Sequence, residues 1–137
     1  MIREIIKDEA KLSVPSVDAT RKDGQVLKDL VETLESLKEE CVGLAANMIG
    51  ENKRILAFYD GNKLITMYNP HVVGHSNEAY EVEEGCLSLE GERKVTRFKS
   101  ITVKFMDKSW KEKTCKYQGF SAEIIQHMLD HFEGILI

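Results

Sequence analysis

Between Arg54 and Tyr117 the chain offers no helical periodicity, only short alternating runs punctuated by turn residues, and it is flanked on both sides by helical patterns. Before this stretch, from about Asp23 to Glu40, Val26, Leu27, Leu30, Val31, Leu34 and Leu37 recur at three- and four-residue steps with Lys and Glu between them. That spacing puts them on one face of a helix, with Thr20 or Asp23 as its cap. After the stretch, Gly119 breaks the chain and Ser121 is placed to cap a last helix running to about Phe132. Parallel sheets need crossover helices between their strands, and none is legible here. The expected fold is therefore α+β with mostly antiparallel sheet.

Within the stretch, Arg54 to Tyr59 and Lys63 to Tyr68 read as strands joined at Asp60-Gly61-Asn62. Asn69-Pro70 is expected to end the second run, and His71 to Tyr80 to be further strand broken at Gly74. Ser100 to Met106 alternates, with Ile101, Val103 and Phe105 on one face, and Thr114 to Tyr117 is expected to pair with it across an Asp107–Trp110 turn. The first twenty residues read as loop. Small residues from Gly43 to Gly50 suit a segment where backbone lies close to another backbone or to a ligand.

The length of 137 residues fits one domain, residues 1–137, and 42% hydrophobic content supplies a core. A net charge of −4 with scattered basic residues speaks against a nucleic-acid footprint. No apolar run approaches the roughly 18 residues of a membrane span. The N-terminus is too mixed in charge for a signal peptide. Three cysteines, Cys41, Cys86 and Cys115, make no disulfide framework, and a reducing cytoplasm is the expected location.

Chemistry concentrates near the C-terminus, in Gln126-His127-Met128-Leu129-Asp130-His131. Histidines four apart on a helix lie about 40° apart around its axis, close enough to grip one divalent ion. A third ligand must come from elsewhere. Cys86, in Glu83-Glu84-Gly85-Cys86-Leu87-Ser88, is the best candidate, since a glycine frees the backbone beside its sulfur. Spacing alone leaves a second reading open: a polar patch on a helix and a buried thiol.

Gly43-Leu44-Ala45-Ala46-Asn47-Met48, Glu84-Gly85-Cys86-Leu87-Ser88 and Gln126 to His131 resemble, in order and spacing, the three signature motifs of peptide deformylases, G-x-G-L-A-A-x-Q, E-G-C-L-S and Q-H-E-x-D-H. The resemblance covers nearly the whole chain. It implies antiparallel sheets around a central helix that carries the His pair. It implies Cys86, His127 and His131 as metal ligands, with Fe2+ as the usual native ion and Zn2+, Ni2+ or Co2+ as substitutes. The implied reaction is hydrolysis of the formyl group from N-formyl-methionyl peptides. The backbone N–H of Leu87 is implied as an oxyanion donor, Gly43 and Leu44 as backbone partners of an extended substrate. Arg97 is implied either on the substrate or on Glu84, with Arg93 a weaker candidate. The resemblance leaves a position near the ribosome open, without support from charge for RNA contact.

Two motif positions depart from the pattern. Met128 stands where the family has its general-base glutamate, and Met48 where it has a glutamine that helps hold the oxyanion. Methionine does neither task. Activity is therefore expected to be impaired, and the alternative is a non-catalytic homologue that still binds metal and peptide. Asp130 is expected to orient a ligating imidazole, Glu84 to pair with an arginine, and Glu83 to be exposed. The neighbourhoods of Ile125, His127 and Leu129 are expected to line a pocket for the substrate methionine. His71 and His75 are expected to be surface residues.

Overall fold

The computed structural model describes residues 1–137. The chain runs through a short helix α1 (Glu9–Leu12), helix α2 (Gly24–Ser36), strands β1 (Gly43–Ala45), β2 (Ile55–Asp60), β3 (Lys63–His75), β4 (Ala79–Cys86), β5 (Leu89–Phe98), β6 (Ser100–Met106) and β7 (Glu112–Gln118), and a final helix α3 (Gly119–Phe132). Every strand pairing is antiparallel. One sheet has the order β1-β2-β3-β6-β7, and β4 and β5 form a second, two-stranded sheet. The α+β reading of the sequence is thus the fold observed. No helix is long and apolar enough to cross a membrane.

The core gathers on β2. Ile55, Leu56, Ala57 and Phe58 are consecutive and fully buried, so both faces of this strand are covered. Helix α2 packs on β1 and β2, and α3 on β1, β2 and β7. Leu30 and Leu34 of α2 are fully buried, each contributing roughly 1.5–3 kcal/mol of burial free energy. Phe58 adds an edge-to-face contact with Tyr117, ring centroids 5.8 Å apart.

Helix α2 begins after a tight turn at Arg21–Asp23. There the Asp23 carboxylate accepts from the Thr20 N–H at 2.8 Å while the Thr20 hydroxyl accepts from the Lys22 N–H. It ends at Ser36 rather than Glu40, because Lys38, Glu39 and Glu40 bring no apolar side chain to the core. Asp8 caps α1, a helical turn inside a stretch whose residues suit a loop.

Asn69-Pro70 does not end a strand. β3 continues through it with a bulge, and Asn69 adopts a φ of 53° that asparagine tolerates. Its amide group bonds both the N–H and the carbonyl of Ala19. Ser121 does not cap α3; it donates to Asp60 at 2.6 Å instead, and the helix starts at Gly119. Strands β4 and β5 were not legible. Their pairing ends in a two-residue turn at Leu87-Ser88, which puts Cys86 at a strand end.

Candidate metal centre

Three contacts fix α3 against the strands that carry Cys86. The Gln126 side chain accepts from the Phe98 N–H at 2.8 Å and donates to the Phe98 carbonyl at 3.0 Å, joining α3 to β5 as a strand neighbour would. The Arg97 guanidinium donates to Glu84 on β4 at 2.7 Å and to Asp130 on α3 at 2.7 Å. Glu84 in turn accepts from His127 Nδ1 at 2.7 Å. On the other wall, Gly43 of β1 lies so close to α3 that a Cβ there would sit 2.9 Å from Ile124 and 3.2 Å from Phe58. Only glycine fits such an approach.

These contacts bring the three expected ligands together. The donor atoms of Cys86, His127 and His131 lie within 4.8 Å of one another. Cys86 Sγ is 3.5 Å from His131 Nε2, and the two Nε2 atoms are 3.1 Å apart. A tetrahedral ion with bonds of about 2.3 Å to sulfur and about 2.0 Å to nitrogen holds its donors roughly 3.6 Å (S···N) and roughly 3.3 Å (N···N) apart. Both of these separations are those one divalent ion requires. Both imidazoles face it with Nε2, and Nδ1 of His127 is taken by Glu84. That is the usual outer partner of a ligating histidine.

Cys86 and His127 each favour the other's charged form. Burial works against charge on both groups but is outweighed. Hydrogen bonds from His127 and His131 bring the Cys86 thiol down to about 6, and bonds to Cys86 and Glu84 hold His127 up at about 9. Burial also pushes Glu84 upward, yet its bonds from His127 and Arg97 keep it below the ordinary carboxylate range. Near neutral pH the site is thus a thiolate beside an imidazolium.

The carboxylate that orients His127 is Glu84, not Asp130, which pairs with Arg97 instead. Of the two places open to Arg97, the guanidinium occupies Glu84; it is nearly fully buried. Glu83 is exposed, and His75 stacks on Phe98 at the surface, ring centroids 3.9 Å apart, away from the cluster.

A cavity of about 450 Å³ opens beside the ligands, walled by Gly43 on β1, by Leu87 at the hairpin turn, and by Met48 and Met128. Of the expected neighbourhoods of Ile125, His127 and Leu129, it takes His127 itself with Ile124 and Met128, and not Ile125 or Leu129. Ile125 is fully buried in the core instead. Sequence reasoning missed Glu123 and Phe120, which also line the cavity. The signal was there: they stand four and seven residues before His127, on its side of the helix. Burial, with Glu84 close by, raises the Glu123 carboxyl, which accepts from Tyr80 at 3.2 Å. Its neighbour Glu84 is the carboxylate that holds His127 Nδ1.

The polypeptide deformylase family pattern matches residues 3–137. The peptide deformylase of Clostridium beijerinckii is 49% identical over 137 residues, covering 100% of this chain and 100% of that one. The crystal structure of peptide deformylase from Thermotoga maritima superposes with a TM-score of 0.87 at 27% identity, covering 99% of this chain and 94% of that chain. The class I type b peptide deformylase from Acinetobacter baumannii, bound to Met-Ala-Ser, superposes at 0.88 and 26% identity, with coverage of 99% and 97%.

Proposed function

Since the chain belongs to the polypeptide deformylase family, we propose that it is a metal hydrolase of N-formyl-methionyl peptides whose turnover is held low by Met128 and Met48. One observation carries the second half of this reading. Met128 follows His127 directly, is buried, and lines the cavity beside the ligand cluster with a side chain that cannot take a proton.

Cys86, His127 and His131 would hold the ion. When bound, it supplies Lewis acidity toward a carbonyl oxygen and toward water. The remaining work falls to the chain. β1 is the edge strand of its sheet, so the backbone of Gly43 and Leu44 offers an edge on which an extended peptide would lie as an added strand. The Acinetobacter relative that holds Met-Ala-Ser supports a peptide of this kind in the cavity. The Leu87 N–H, at the turn after Cys86, would donate to the oxyanion of the attacked formyl group. The acid–base step lacks its group. Glu84 is committed to Arg97 and His127, and Glu123 is held by the Tyr80 hydroxyl.

A missing general acid–base group costs about 10²–10⁴ in rate. A missing oxyanion donor costs about 10²–10³. Formate release from formyl-Met-Ala-Ser by anaerobically metal-loaded protein, with Met128→Glu and the Met48→Gln/Met128→Glu pair beside it, tests the reading. The parent is expected near background and the double variant well above it. Robust turnover by the parent would overturn the assignment of Met128. Silence in all three, with peptide binding retained, would favour the non-catalytic metal- and peptide-binding homologue.

A further inference from the structure

We propose that the chain carries a second binding site, for an aliphatic carboxylate, in a cleft of about 680 Å³ between α2 and strands β3, β6 and β7. The cleft shares no lining residue with the cavity beside the metal ligands. Its volume falls within the roughly 300–1,000 Å³ of small-ligand sites. It follows from the course of the chain. The first half of β3 pairs with β2 and the second half, beyond the bulge at Asn69, with β6. Helix α2 packs chiefly on β1 and β2, so the space beside β3, β6 and β7 stays open.

Charge and polarity select the occupant. The charged side chains of the cleft are Lys28, Lys63, Lys108, Lys113, Glu32 and Asp107. Both carboxylates are already taken: Glu32 receives the Met1 ammonium, and Asp107 receives Lys113 at 3.4 Å and the Ser109 N–H at 2.9 Å. Lys28, Lys63 and Lys108 have no carboxylate within ion-pair distance. All three are exposed and stand at the rim, while Leu27 and Phe105 are buried below them. The cavity beside the metal ligands has the opposite sign, with Glu40, Glu83, Glu84 and Glu123 and no lysine or arginine. A cationic rim over an apolar floor, on a chain of net charge −4, complements an anion with an apolar body. The floor suits a hydrocarbon better than a base or a sugar, whose buried polar edges would need partners.

The chain carries its own reporters. Cys115 lines this cleft, whereas Cys41 and Cys86 line the other cavity. Trp110 stacks at 4.3 Å on Tyr68, which forms part of the cleft wall, so its fluorescence follows occupancy. Decanoate, below its micelle-forming concentration, is titrated into the full chain, with decyltrimethylammonium and decanol in parallel. Decanoate is expected to saturate one site and to bind more tightly than either control. It should slow alkylation of Cys115, mapped by mass spectrometry, and leave Cys41 and Cys86 unchanged. Lys28→Gln/Lys63→Gln/Lys108→Gln alters exposed positions only and should weaken decanoate roughly three- to tenfold, because exposed ion pairs are individually weak, with the difference shrinking at high salt. Absence of decanoate binding, equal binding of the cationic amphiphile, or unchanged affinity in the triple variant overturns the proposal. So does protection of Cys41 or Cys86 in place of Cys115. If the ligand-free chain sediments as a dimer with Cys115 already protected, the cleft is an interface between copies and the carboxylate site falls.

Discussion

Replacing Arg97 by methionine isolates what the buried ion cluster contributes. The guanidinium donates to Glu84 through Nε (3.1 Å) and Nη2 (2.7 Å) and to Asp130 through Nη1 (2.7 Å). Side-chain exposure is 6% for Arg97 and 5% for Glu84, so neither charge is rehydrated when the other leaves. Removing one partner of such a pair costs about 3–5 kcal/mol. Asp130 is 28% exposed and recovers water, and Glu84 keeps His127, so the low end applies, about 3 kcal/mol. Out of a total stability of about 5–15 kcal/mol, the variant stays folded but marginal. Urea denaturation followed by the fluorescence of the single tryptophan, Trp110, stacked on Tyr68 at 4.3 Å, reads this directly. With an m-value of about 1–3 kcal/mol/M, the midpoint falls by roughly 1–3 M. Arg97→Met/Glu84→Leu removes the stranded carboxylate as well and should recover part of the loss. Its metal affinity should still fall roughly 10–100-fold, because His127 has lost its acceptor. A midpoint shift under about 0.3 M for the single variant, or a double variant less stable than the single, would refute the argument from buried charge.

Gly134→Ala should cost at least about 1–2 kcal/mol, because a residue at φ 75° already strains an L side chain and its Cβ would collide with the Ser13 carbonyl oxygen; an unchanged melting temperature would count against that packing. Between about pH 6 and 9 loading an ion should release one proton, from His127, so Co2+ affinity rises roughly tenfold per pH unit; affinity flat across that range would contradict the thiolate–imidazolium pair. Bonds from the Met1 ammonium, and then from Arg3, depress the Asp29 carboxyl, so its contribution is present above its unfolded value and lost as pH falls through the lower folded one. Asp29→Asn should therefore flatten the acid limb of stability against pH, and an identical limb in the variant would argue against this cluster.

What the sequence made legible followed from periodicity and local chemistry. β6 alternates cleanly because Ile101, Val103 and Phe105 face the core, and its bounds match the reading. The ligand pair on α3 was visible because a helix places positions 127 and 131 together whatever surrounds it. β4 and β5 were hidden for the opposite reason: Glu81, Glu83, Glu92 and Lys94 make both strands largely polar, so no apolar face announces them. The bulge at Asn69 was hidden because the partner that rewards it, Ala19, is fifty residues away. Glu84 was recognisable as an arginine partner but not as the acceptor for His127. That contact depends on how α3 lies across β4 and β5, which no local pattern encodes.

The edge position of β1 reaches beyond peptide capture. Backbone groups left free on one side of a strand will accept any extended chain, including that of a neighbouring copy. β1 limits that risk by being three residues long and by bordering a cavity that two exposed carboxylates, Glu40 and Glu83, also line. Crowded molecules of this protein thus meet there with like charge and little backbone to share. Lengthening β1 or neutralising those two glutamates would turn a receptive edge into a seam for self-association.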